Sequence, residues 1–222
     1  MQAGRNTPRL SMEGAGAILL DCAGQTFDDD AQALIWAVAA ELRAHAGVLE
    51  TVPGMNNLMI VFDPLRLAPE ALEQAILHCW RTVVADTVSG RTIDVPVTYG
   101  GAKGEDLAAF AAAKGMSVAA LVAAHVAPLY SVAAVGAMPG FVYLSGLDPR
   151  LAMPRRANPR MKVEEGSVII GGAQAGIMPL TAPSGWHILG HTDFSLFDPM
   201  KDQPAAFRPG DRIRFTVREI IA

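Results

Sequence analysis

Between Pro139 and Gly190 glycine and proline recur at short intervals among five basic side chains, Arg150, Arg155, Arg156, Arg160 and Lys162. Glycine permits positive φ or close backbone approach, and proline fixes φ and removes a donor, so this segment reads as a set of rigid turns. Arg155, Arg156 and Arg160 stand on proline-containing turns, where guanidinium forks could hold a carboxylate or phosphate. The other reading of these arginines is a solvated basic turn paired with Glu164, Glu165 or Asp148. The run Gly171-Gly-Ala-Gln-Ala-Gly176 could offer consecutive N–H groups to an anion, with Gln174 beside it, or could simply turn a tight barrel corner. His125 falls near the end of an expected helix, where the dipole favours a protonated ring able to act as an acid or an anion ligand. A packed or C-capping histidine is the alternative. Trp186 could stack on a flat ligand or plug a barrel corner.

Several chemistries are excluded. No Gly-rich loop here has Walker spacing, Ser184 lacks the nucleophile-elbow pattern, and His187 and His191 have no zinc-type spacing, so no metal ligand is expected. The two cysteines, Cys22 and Cys79, are too few for a disulfide framework. A net charge of -4 gives no general attraction to nucleic acid. The apolar run Ala15 to Leu20 is far short of the ~20 residues a membrane helix needs, so a cytoplasmic protein is expected.

The elements that must carry these residues can be read in order. A strand at Ala15 to Asp21 precedes a helix with Ala31, Leu34, Ile35, Val38 and Leu42 on one face, capped from Asp28 to Asp30 and stopped at Gly47. Val48 to Val52 and Leu58 to Phe62 flank the turn-rich Pro53-Gly-Met-Asn-Asn57 and predict a hairpin. A second helix begins at Pro69, and Ile93 to Thr98 returns as a strand. This order is that of a ferredoxin-like sandwich. Two Ala-rich helices follow, Glu105 to Lys114 and Val118 to Ala127. Short apolar runs at Leu129 to Val135, Gly166 to Ile170, Trp186 to Leu189, Phe194 to Phe197 and Arg212 to Val217 then predict a closed or nearly closed β domain. We expect a disordered extension at 1–13, a ferredoxin-like domain at 14–92 and a barrel domain at 93–222.

In their order, Pro139-Gly-Phe-Val-Tyr-Leu144, Pro154-Arg-Arg156, Gly171 to Gly176 and Pro183-Ser-Gly-Trp-His187 resemble the 5-oxoprolinase B-subunit family, also called allophanate hydrolase subunit 1, which contains a sporulation kinase inhibitor as well. The likeness continues through Pro53 to Asn57, Pro96 to Gly101, His125, Gly190-His-Thr192, Ser195 to Pro199 and Pro209-Gly-Asp211. It implies an α+β chain, a ferredoxin-like sandwich followed by a cyclophilin-like β-barrel. The implied activity is that of an ATP-dependent amidohydrolase subunit acting on 5-oxoproline, allophanate or a related amide. Magnesium-bound ATP at the assembled complex, a companion subunit resembling allophanate hydrolase subunit 2 and a third 5-oxoprolinase subunit come with it. The resemblance favours His125 and Gln174 as catalytic and Arg155, Arg156, Arg160, Gly171, Gly172, Trp186 and His191 as binding substrate or an anion.

The chain departs from the family's pattern in its motif-rich loops. Ala175 and Met178 stand where the family carries threonine and tyrosine, Val126 where serine follows the histidine, Ala137 where an aromatic is common, and Ser184 where glycine repeats. These changes imply a different substrate or reduced activity, and Ala175→Thr with Met178→Tyr is expected to raise activity. The alternative function is a regulatory protein that binds and inhibits a sensor histidine kinase, for which an exposed patch at Phe141, Val142 and Leu144 is expected.

Overall fold

The structure, a computed structural model, describes residues 7–85 and 90–221. Its contacts divide the chain into two compact units, Met1–Ser89 and Gly90–Ala222.

In the first unit β1 (Arg9–Met12) and β2 (Ala17–Asp21) lead into α1 (Asp29–Arg43), then β3 (Val48–Pro53), β4 (Asn57–Phe62) and α2 (Pro69–Thr82). The Asp28 side chain accepts the Ala31 N–H at 3.0 Å and Pro69 occupies the first turn of α2, so both helix starts follow from local capping rules. Ile18, Leu20, Leu58, Ile60 and Phe62 alternate onto the sheet face that meets Ile35, Val38, Leu42, Leu72 and Ile76. The expected hairpin is present. Its turn is held by Asn56 in the left-handed region (φ 55°), whose side-chain oxygen accepts the Asp28 N–H and whose own N–H reaches the buried Gln32 oxygen at 2.7 Å.

Two expectations are corrected here. The sheet runs β1-β2-β4-β3, and its outer place beside β2 is filled by Arg9–Met12 pairing antiparallel with β2. A disordered extension at 1–13 therefore fails for residues 9–12: Leu10 supplies an apolar side chain to the core and Arg9 bonds Asp21 at 2.6 Å. The remainder of that expectation, residues 1–6, lies outside the described residues. The strand that would close a ferredoxin-like order belongs instead to the second unit.

That unit begins with β5 (Thr92–Gly100), followed by α3 (Leu107–Ala113), α4 (Val118–Val126), β6 (Tyr130–Val135), β7 (Val142–Ser145) and β8 (Arg160–Val163). Then come β9 (Ser167–Gly171), β10 (Gln174–Ile177), β11 (Ala182–Ser184), β12 (His187–His191) and β13 (Arg212–Ile221). Seven of these strands close a barrel in the order β10-β7-β6-β13-β5-β12-β9, while β8 and β11 pair separately. The fold class is thus α+β with a closed barrel. Only β5 and β13 run parallel, which requires the long crossover between them.

Strand alternation gives the barrel two apolar layers. Val168, Ile170, Leu189, Tyr99 and Phe215 share one core with buried faces of α3 and α4, while Ile169 and Ile188 point the other way to join Phe141, Val163, Met178 and Trp186. Phe194 to Phe197, expected as a strand, makes only an isolated bridge from Phe197 to Ala205. Its apolar residues are used instead as side-chain packing, with Phe194 stacked on Phe207 and Leu196 buried. Among the described residues no single helix is long and apolar enough to cross a membrane.

Candidate functional site

The smaller apolar layer ends in an open cleft of about 200 Å³, walled by Phe141, Tyr143, Met178, Trp186, Ala137 and Arg155. Trp186 immediately precedes β12 and its indole is clamped: a Cβ on Gly171 would lie 2.5 Å from it, and Phe141 meets it edge-on at 5.7 Å. Gly171 is therefore a glycine because β9 passes directly over the ring. The Arg155 guanidinium stands 5.5 Å above the Trp186 ring, at cation–π distance. The cleft thus offers one exposed cation over an aromatic floor with thioether and aromatic walls. Such a surface suits a small, flat molecule bearing one carboxylate.

The three arginines do not act together. Asp106, at the start of α3, takes Arg160 bidentately at 2.7 and 2.9 Å and Arg156 at 3.1 Å, and Glu105 receives Arg160 Nε at 2.8 Å. The other face of Asp106 accepts the Ile188 N–H at 2.8 Å, so the carboxylate also ties α3 to β12. Burial pushes the Asp106 carboxyl up, but the Arg160 hydrogen bonds, the Ile188 N–H and both arginine charges outweigh it and hold it below the usual carboxylate range. Arg156 and Arg160, expected as ligand-binding, are consequently committed to a structural carboxylate, and Arg155 alone of the three faces the cleft. The partners are Asp106 and Glu105 rather than Glu164, Glu165 or Asp148, a pairing that crosses about 50 residues and has no local signature.

The remaining expected residues scatter. His125 is fully buried in the barrel core, with Nδ1 2.8 Å from the Tyr99 hydroxyl and its ring 4.8 Å from that of Phe215. Burial lowers its pKa to about 3, so the ring is neutral and reaches no ligand. This corrects the expectation of a catalytic or anion-binding histidine: the helix face that carries it, with Leu121, Val122 and Ala124, is the one packed inward. Gln174 begins β10 opposite Gly171, half-buried and outside the lining of the cleft. Gly171 and Gly172 make the corner of the β9–β10 hairpin, not an anion nest, because the Gly172 N–H is already bonded to the Met153 carbonyl at 2.7 Å. His191 lines a different cleft, at the far end of β12.

Sequence reading missed Asp106 and the cleft-lining role of Met138 and Tyr143. It also misplaced one supposed loss. Ala175 is fully buried in the barrel's inner layer, so Ala175→Thr would put a hydroxyl into the core, whereas Met178 does line the cleft. Ala137, on the cleft rim, has φ 67°, a left-handed conformation that costs an alanine roughly 1–2 kcal/mol. Ala137→Gly is therefore expected to leave stability unchanged or raise it by up to about 1 kcal/mol, against the usual loss for such a change. Urea unfolding checks it, and a loss of that size would show the turn to be unstrained.

With this geometry the chain can be placed among known proteins. The family model described as carboxyltransferase domain, subdomain C and D, matches residues 8–207. The chain belongs to that family, which here takes the form of a 5-oxoprolinase B subunit: it is 45% identical over 185 residues to the protein so named from Escherichia coli O157:H7, covering 83% of this chain and 84% of that one. The crystal structure of TTHA0988 superposes with a TM-score of 0.80 at 35% identity, over 91% of this chain and 40% of that chain. This chain therefore spans under half the length of that relative. The Kluyveromyces lactis urea carboxylase shares the fold, with a TM-score of 0.80 at 18% identity over 98% of this chain and 22% of that one.

Proposed function

We propose that the chain is a cytoplasmic subunit of an ATP-dependent amidohydrolase whose substrate is 5-oxoproline or a small amide of similar shape and charge. The observation that carries this reading is the Arg155–Trp186 cleft: one guanidinium above an indole floor, in a chain whose relatives are named as B subunits of 5-oxoprolinase. Arg155 would take the substrate carboxylate, and Trp186, Tyr143 and Met178 would hold the ring flat and exclude water from it. An unactivated amide is a poor electrophile, and bound ATP would supply the phosphoryl group that turns its oxygen into a leaving group.

The cleft does not itself suit a triphosphate. Its lining contains a single cation, and Arg156 and Arg160 are spent on Asp106. Magnesium-bound ATP is accordingly assigned to the assembled complex, formed with a companion subunit resembling allophanate hydrolase subunit 2 and a third 5-oxoprolinase subunit. The kinase-inhibitor alternative loses the surface it needs. Phe141, Val142 and Leu144, expected as an exposed patch, are 5%, 0% and 0% exposed.

Co-expression with the companion subunits and measurement of 5-oxoproline-dependent ATP hydrolysis and glutamate release tests the reading. Arg155→Ala is expected to weaken substrate binding by about 1.5–3 kcal/mol, seen as a KM raised roughly 10- to 100-fold. Unchanged KM in Arg155→Ala would move the substrate out of this cleft, and a well-formed complex with no turnover would point to another amide.

A further inference from the structure

At the opposite end of β12 from Trp186 lies a second cleft, of about 320 Å³, lined by Lys103, His191, Asp193, Arg218, Thr98 and Ile221. Five strand residues separate the two, about 16 Å at 3.3 Å per residue, and the clefts share no lining residue.

Three separate backbone devices bring its polar groups together. Gly100 and Gly101 both have positive φ, 78° and 60°, and turn the chain sharply out of β5 so that Lys103 comes back over the strand ends. A side chain at Gly100 could not be accommodated, since its Cβ would fall 2.1 Å from the Ile221 carbonyl oxygen. The β5–β13 register slips between Val217 and Glu219, and the bulged residue is Arg218, which such an irregularity re-aims away from the regular strand alternation. His191, the last residue of β12, is fixed by the Glu165 carbonyl at 3.0 Å from Nε2.

The result is a convergence of donors. Lys103 Nζ lies 3.4 Å from His191 Nε2, Arg218 is held by Asp193 at 2.5 Å, and the same carboxylate lies 3.7 Å from His191 Nδ1. Asp193 thereby orients Arg218 as a carboxylate commonly orients a guanidinium in an anion site, while Lys103 has no carboxylate partner among the described residues. The local field is positive, for Arg218 first, then His191 and Lys103, hold the exposed Asp193 carboxyl below its usual range.

We propose that this Lys103–His191–Arg218 cleft is a second ligand site, taking a phosphate-type oxyanion. Lysine supplies a compact charge and arginine a planar fork, the two modes of phosphate recognition, and the glycine turn lets backbone approach closely. The site is independent of the Arg155 cleft, and its test does not require turnover.

The probe is inorganic phosphate, titrated at constant ionic strength against chloride while amide and His191 ring resonances are followed by NMR. Saturable shifts centred on Lys103, His191 and Arg218 are expected, with affinity falling at least tenfold in Lys103→Ala and in Arg218→Ala and unchanged in Arg155→Ala. Both altered side chains reach solvent, and matching urea midpoints establish that the variants remain folded. ADP serves as a parallel probe. Tighter binding of ADP with the same dependence on Lys103 and Arg218 identifies the oxyanion as a nucleotide phosphate, and binding of phosphate alone identifies the free ion. No saturable shift with either probe, or binding indifferent to both variants, overturns the assignment.

Discussion

Asp106→Ala is expected to lower the unfolding free energy by about 3–5 kcal/mol, the usual cost of removing one partner from a buried charge network. The carboxylate is 7% exposed and satisfies Arg160, Arg156 and the Ile188 N–H together. Its loss leaves two half-buried guanidinium groups and a buried backbone donor without their acceptor. Asp106→Asn keeps an acceptor for Ile188 and removes the charge, so an intermediate loss is expected. The acid dependence has a definite sign. Because the native carboxyl is held below its ordinary value, its contribution is whole above about pH 4 and disappears as pH falls through the depressed native value. Urea unfolding of wild type and both variants at pH 7 checks the magnitude. A loss below about 1 kcal/mol would show that the arginines simply turn to solvent, as surface pairs do. The effect should also reach function, since Asp106 fixes the middle of β12 between the Trp186 and His191 ends.

What sequence could show here tracks the range over which each interaction acts. α1, α2, the Pro53–Asn57 hairpin turn and the cap of α4 rest on neighbours within a few residues, and each was legible: Ser117 accepts the Ala120 N–H as its position before an apolar run implies. The wrong or missing pieces are non-local. Arg9–Met12 is a strand because β2 offers an edge, and nothing within the segment announces that. Arg160 pairs across 54 residues with Asp106. His125 illustrates the limit most directly. Its place near a helix end suggested a charged ring, but the dipole is a modest surface effect and the burial of α4 against β13 overrides it. Trp186 and Arg155 were both legible as candidates by residue type, while their juxtaposition depends on β9 crossing the indole at Gly171.

That buried histidine gives the second large effect. Its ring is neutral in the folded protein, with a pKa lowered to about 3 by burial, while in the unfolded chain it titrates near 6.5. Below pH 6.5 the unfolded chain therefore binds a proton that the native state does not, and stability falls as pH falls. The loss accumulates at about 1.4 kcal/mol per pH unit, roughly 2 kcal/mol by pH 5, and saturates only near the native value. Asp106 titrates below this window, so the two effects separate. His125→Asn retains a polar atom for the Tyr99 hydroxyl and removes the titration, so it should be less stable than wild type at pH 7 yet lose about 2 kcal/mol less between pH 7 and pH 5. Urea unfolding at the two pH values for both proteins gives the difference directly and cancels the contributions of the other histidines. Parallel pH dependence in the two proteins would mean that His125 takes up its proton within the fold, which would require the barrel core around Tyr99, Tyr130 and Phe215 to admit water.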